Sequence, residues 1–133
     1  MPAATGNRLL GSSWLEILRR KTPEAFAEAF TADATLEASV LSEPVLGADR
    51  IREVFATTTS MYECIAFTHE MIDGAKTYLE WRGKAFNGLP ATGITVLTHS
   101  PTGKIENILL MHAPLRTVES FSTELTKRMA IQS

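Results

Sequence analysis

A chain of 133 residues that is 44% apolar and 21% charged is expected to form one domain around a single core, since chains below about 250 residues rarely split. A net charge of −2, with no basic run longer than Arg19-Arg20-Lys21, lacks the basic stripe of a nucleic-acid binder, and no wholly apolar run exceeds Ile108-Leu109-Leu110-Met111, too short to span a membrane. One cysteine, Cys64, excludes an internal disulfide, and "MPAATGNRLLGSS" has no charged start before a long apolar segment, so a cytoplasmic location is expected.

Ser12 or Ser13 can cap a first helix running to Lys21, with Trp14, Leu15 and Leu18 on one face. Its basic end suits the negative pole of the helix dipole. Thr22-Pro23-Glu24 starts a second helix, with the threonine as cap and the proline in the first turn. Ala25, Phe26, Ala29 and Phe30 give that helix its apolar stripe. "ATLEASVL" alternates, with Leu36, Ala38 and Val40 on one face, and reads as a strand. After "SEPVLG", the positions Ile51, Val54 and Phe55 mark a third amphipathic helix.

The second half reads as a meander. Strands are expected over 64–72, 76–86, 91–99 and 104–112, with turns at Asp73-Gly74, Asn87-Gly88 and "SPTGK". Leu115, Val118, Phe121, Leu125 and Met129 then recur at helical spacing. Helices followed by a run of antiparallel strands define an α+β class, with the helices gathered on one face of a curved sheet.

Four stretches in this order, "AEAFTADAT", "GADRIREVF", "WRGKAFNGLPATG" and "PTGKIENI", make residues 14–113 similar to the nuclear-transport-factor-2-like superfamily. That group shares a cone-shaped, cystatin-like fold and includes ketosteroid isomerases and polyketide cyclases of the SnoaL type. The resemblance implies a single SnoaL-like domain over 1–133 with an apolar pocket for a hydrophobic small molecule, and a homodimer paired through the outer face of its sheet. It also implies cyclase, isomerase or dehydratase chemistry without metal or organic cofactor.

The isomerase residues do not carry over. The family's substrate-binding tyrosine corresponds to Trp14, its general base to Ala38, and its second oxyanion donor to Thr95. An indole donates one hydrogen bond but has no acidic hydroxyl for a developing enolate. Glu37 is expected to face away from the Leu36, Ala38 and Val40 side, as a solvated or dimer-facing residue, because neighbours on a strand point to opposite faces.

Periodicity names the candidate pocket wall: Trp14, Ala38, Val54, Phe55 and Trp81, then Thr95, Leu97, Ile108 and Leu110. His112 shares a strand face with Ile108 and Leu110, and His69 shares one with Ile65, Phe67 and Met71. Imidazole titrates near neutrality, so both histidines are candidate acid/base groups. A hydrogen-bonded core or rim histidine is the competing reading for each. His99, beside the "SPTGK" turn, is expected at the surface. That turn ends like a phosphate loop but has Thr98 where the first glycine belongs. No His, Cys or Glu pair stands at metal-ligand spacing, so no metal is expected. Two functions stay open: a cofactor-free enzyme using His112 or His69, and a non-catalytic ligand-binding or dimeric interaction module.

Overall fold

The computed structural model describes residues 10–132, with side chains through residue 130. The N-terminal segment considered above for a leader lies, through residue 9, outside the described residues. The elements run α1 (Ser12–Leu18), α2 (Pro23–Ala27), β1 (Phe30–Ala38), β2 (Val45–Leu46), α3 (Ala48–Met61), β3 (Tyr62–Asp73), β4 (Lys76–Ala85), β5 (Leu89–His99), β6 (Ile105–Ala113) and α4 (Leu115–Gln132). No described helix is long and apolar enough to cross a membrane.

The six strands make one sheet in the order β2-β1-β6-β5-β4-β3. The meander pairs antiparallel throughout, but β1 lies parallel to β6, with Leu36 opposite Ile108 and Ala38 opposite Leu110. The sheet is therefore mixed and curved, and it does not close. Alternation along a strand fixes its faces and is silent about its partner. The two-residue β2, antiparallel to β1, came from a stretch that reads as a turn.

Three helix boundaries differ from expectation, the first being that α1 ends at Leu18, before Arg19-Arg20-Lys21, and has no basic residue in its last turn. The N-cap of α1 is Gly11, at φ 72°, which has no side chain with which to cap the helix. Glu70 Oε1, far along the chain, accepts the Gly11 N–H at 2.9 Å instead. Helix α2 starts as expected, with Thr22 Oγ1 accepting the Ala25 N–H at 3.1 Å. It ends at Ala27, so Phe30 opens β1 rather than closing the helix stripe. The two phenylalanines still stack, 4.7 Å between ring centroids.

The main core lies between the concave sheet face and the first three helices, built on Trp14, Phe26, Phe30, Leu36, Ile51 and Trp81 among others. A smaller cluster of Val40, Met61, Phe121 and Leu125 seats α4 over the far end of the sheet. Leu115, counted on the helix stripe from spacing, is exposed.

One irregularity sets the chemistry of the concave face. Phe67 pairs with Trp81, but His69 pairs with Glu80, leaving Thr68 as an extra residue on β3. Such a bulge shifts the side-chain phase by one. Before it Ile65 and Phe67 face inward; after it Glu70 and Ile72 do. His69 and Met71 are turned to the outside, contrary to the alternation read from sequence.

Candidate functional site

A cavity of about 90 Å³ lies inside the cone. Trp14, Leu15 and Leu18 of α1 cover it, Phe55, Thr58 and Thr59 of α3 flank it, and Tyr62, Ile65, Phe67, Trp81, Thr95 and Leu110 form the sheet side. Aromatic edges set its corners: Trp14 meets Phe55 at 82°, 5.3 Å apart, and Trp81 meets Tyr62 at 80°, 5.6 Å apart. Such edge-to-face pairs match the positive rim of one ring to the negative face of the other.

Gly93 is what lets Trp81 lie there. A Cβ at this position would stand 2.3 Å from Trp81 Cζ2 and 2.5 Å from the Met111 carbonyl oxygen. The missing side chain is the space the indole fills, and through it Trp81 reaches His112, edge-on at 5.1 Å.

Among the described residues no charged side chain lines the cavity. Thr58 and Thr59 donate their hydroxyls back to the Phe55 carbonyl, at 3.3 and 2.8 Å. The hydroxyls of Tyr62 and Thr95 also lie on this wall, beside the indole rings of Trp14 and Trp81.

Tyr62 is backed by His112. The Tyr62 hydroxyl and His112 Nε2 are hydrogen-bonded partners, with the two rings nearly parallel. His112 is 8% exposed, and Phe121 closes its other side at 5.2 Å. Its backbone N–H donates to Ser39 Oγ at 2.8 Å, tying β6 to the end of β1. Burial pushes the imidazole down to about 4 from 6.5, because an apolar surround disfavours the charged form. The same desolvation raises the Tyr62 phenol well above its usual value. Both groups are neutral near pH 7.

His112 Nδ1 is buried without a hydrogen-bond partner. An orphaned acceptor is tolerated more readily than an orphaned N–H. The favoured tautomer thus carries its proton on Nε2, which donates to the Tyr62 oxygen. That leaves the Tyr62 O–H to point elsewhere, and the cavity lies beside it.

Five of the nine positions expected at the wall line this cavity: Trp14, Phe55, Trp81, Thr95 and Leu110. Val54 instead borders a groove between α3 and α4, and Leu97 borders a second pocket beyond Trp14. Ile108 is fully buried in the core, and Ala38 packs between the two core clusters. His112 sits one layer behind the wall. His69 does not approach it: its side chain is 77% exposed, with Nδ1 2.9 Å from Glu80 Oε1. The bulge at Thr68 is the reason, and the two histidines do not meet. His99, expected at the surface, is half-buried.

Tyr62 escaped sequence reasoning because a second irregularity, between Tyr62 and Cys64, breaks the alternation that places Ile65 and Phe67. The apolar stripe of α3 was the available signal. Continued from Ile51, Val54 and Phe55 at helical spacing, it reaches Thr58, Met61 and Tyr62. Among the described residues no three of His, Cys, Asp or Glu come together as a metal site.

No family model and no curated protein matches this chain. Solved structures do. A steroid delta-isomerase from Pseudomonas aeruginosa superposes with a TM-score of 0.79 at 19% identity, over 91% of this chain and 89% of that one. An uncharacterised protein from Silicibacter pomeroyi with a cystatin-like fold gives 0.76 at 18% identity, over 85% and 79%. A protein from Catenulispora acidiphila with a ketosteroid isomerase-like fold, in complex with trimethylamine, gives 0.62 at 19% identity, over 84% and 90%. The chain therefore shares the cystatin-like, ketosteroid isomerase-like fold of these structures, the α+β architecture expected from its sequence. At these identities the likeness is one of fold.

Proposed function

We propose that this protein takes a compact, largely apolar molecule into the cone and acts on it as a cofactor-free isomerase, cyclase or dehydratase of the SnoaL-like class. The observation that carries the reading is the Tyr62 hydroxyl on a charge-free apolar wall, hydrogen-bonded to a buried, neutral His112. In the favoured tautomer Tyr62 donates to a ligand oxygen and stabilises negative charge developing there. With the imidazole proton on Nδ1, Nε2 accepts the Tyr62 proton while the phenol oxygen takes one from the ligand. Pushed down to about 4, His112 has the basicity of a carboxylate, the group that serves as base in ketosteroid isomerases. Trimethylamine in the Catenulispora protein supports a ligand of compact size.

The second reading is a non-catalytic ligand-binding or dimeric module. Two observations favour it. About 90 Å³ is small beside the ~300–1,000 Å³ usual for small-molecule sites, and Met71, Ile94 and Met111 leave apolar surface on the outer sheet face, which suits a contact with a second copy.

Compact ketones and enones, screened by tryptophan fluorescence and then followed by NMR for α-proton exchange into deuterated water, separate the two. Exchange that Tyr62→Phe lowers by about 100-fold or more is the expected result for an acid/base group. Binding with no exchange supports the module. Exchange that persists unchanged in Tyr62→Phe overturns the assignment of the site.

A further inference from the structure

We infer that Glu63, at the start of β3, is a positioning residue for the Tyr62–His112 pair, acting through the β4–β5 turn and α4. The role rests on that pair being the working end of the cone, as proposed above. Glu63 is exposed and lies at the register break between Tyr62 and Cys64, where it pairs with no residue of β4. Its side chain is nevertheless fully engaged. Oε2 accepts the Asn87 N–H at 3.0 Å, and Oε1 accepts the Gly88 N–H at 2.9 Å. Hydrogen bonds to a carboxylate are about twice as strong as those between neutral groups.

The turn so clamped is strained. Phe86, Asn87 and Gly88 have φ of 50°, 62° and 88°. Asparagine and glycine enter this left-handed region readily, and an aromatic residue does not. Such a conformation persists only where its surroundings hold it, and the Glu63 carboxylate supplies two bonds that do. The bend packs Phe86 against the smaller core cluster, its ring meeting Phe121 at 72°, 6.1 Å away. Phe121 is fully buried and touches both members of the pair, 4.9 Å from Tyr62 and 5.2 Å from His112. Thr117 Oγ1 donates to the Pro90 carbonyl at 2.7 Å, tying the start of α4 to the strand that leaves the turn.

The rings packed on His112 are those of Tyr62, Trp81 and Phe121, and of these only Tyr62 is ionisable. Exclusion of water is what keeps the imidazole neutral. A turn released by loss of Glu63 would withdraw Phe86 and loosen Phe121. Water would then reach the buried, unpartnered His112 Nδ1, and the ring would return toward ordinary basicity.

Glu63→Ala removes both acceptors and leaves Tyr62, Phe86 and Phe121 in place. NMR titration of the His112 ring, on the whole chain without ligand, is expected to show a midpoint at least about one pH unit above that of the native chain. That is a tenfold change in proton affinity. Glu63→Gln, which keeps one acceptor oxygen, should move it the same way by less. Thr22→Ala, which removes the α2 cap far from the pair, should lower the melting temperature and leave the midpoint where it is. In the native chain the Asn87 and Gly88 amides should exchange with solvent at least about tenfold more slowly than in an unfolded peptide, a measurement that needs no variant to fold. An unmoved midpoint in Glu63→Ala, an equal shift in Thr22→Ala, or unprotected amides would each overturn the role. A shifted midpoint supports it whether or not a ketone exchanges its protons. Ketone exchange that persists in Glu63→Ala with the midpoint unmoved overturns the positioning role and leaves the catalytic reading standing.

Discussion

His112 makes stability depend on pH in a direction that can be worked out. Its imidazole titrates near 6.5 in the unfolded chain and, by burial, is pushed down to about 4 in the folded one. Between those values the unfolded state binds the extra proton and the folded state does not, so stability falls as pH falls. The contribution is fully present above pH ~6.5 and gone below pH ~4, where both states are protonated. A difference of that size corresponds to about 3 kcal/mol over the interval, at ~1.4 kcal/mol per pH unit. At 8% exposure there is little solvent screening to reduce it. Other groups take up protons over the same interval, so the quantity to measure is a difference. Urea denaturation at half-unit steps from pH 7.5 to 3.5, on the native chain and on His112→Gln, isolates it. The two stability curves should converge or cross as pH falls, with the native curve the steeper between 6.5 and 4. Parallel curves would refute the burial argument, and so would an NMR titration of the His112 ring with a midpoint near 6.5.

Gly93→Ala should cost about 1–3 kcal/mol, the usual scale of overpacking, because the new methyl meets both the Trp81 ring and the Met111 carbonyl; a melting curve and a changed tryptophan emission check it. His69→Ala should change stability by no more than about 0.5 kcal/mol, as expected for an exposed ion pair, and a shift well beyond that would show that His69 is less free than its 77% exposure indicates. No conversion of a Δ5-3-ketosteroid is expected, since the sequence resemblance sets Trp14 and Thr95 at the donor positions and Ala38 at that of the base, and the cavity holds about 90 Å³; absorbance of the conjugated product is the readout, and turnover would overturn the account of the cone.

Local signals carried the second half of the fold. Asp73-Gly74 and Asn87-Gly88 fall in the β3–β4 and β4–β5 turns, where glycine takes the positive φ that other residues resist. Thr22-Pro23 likewise marked the start of α2. The parallel seam between β1 and β6 was not legible, because pairing joins residues some seventy positions apart and leaves no trace in either strand's pattern. For the site, alternation and helical spacing reached Phe55, Trp81, Thr95 and Leu110 on the cavity, but they fix only a face, so Leu97 and Ile108 on the same strand faces lie elsewhere along it. Tyr62 and His69 each lie just beyond a break in register, one gained and one lost for the same reason. Glu70, unremarkable in sequence, becomes a pocket residue only through that break.

The extra residue at Thr68 also bears on how such a cone can change its chemistry. Inserting one residue in the β3–β4 turn would let Thr68 enter the ladder opposite Glu80, bringing the present His69 and Met71 to the concave side and sending Glu70 and Ile72 out. No side chain would be substituted, yet an acid would be exchanged for an imidazole in one step. A lineage of such proteins could therefore diverge in reactivity through single-residue length changes in the β3–β4 hairpin. Position-by-position comparison of substitutions would pass over the event entirely.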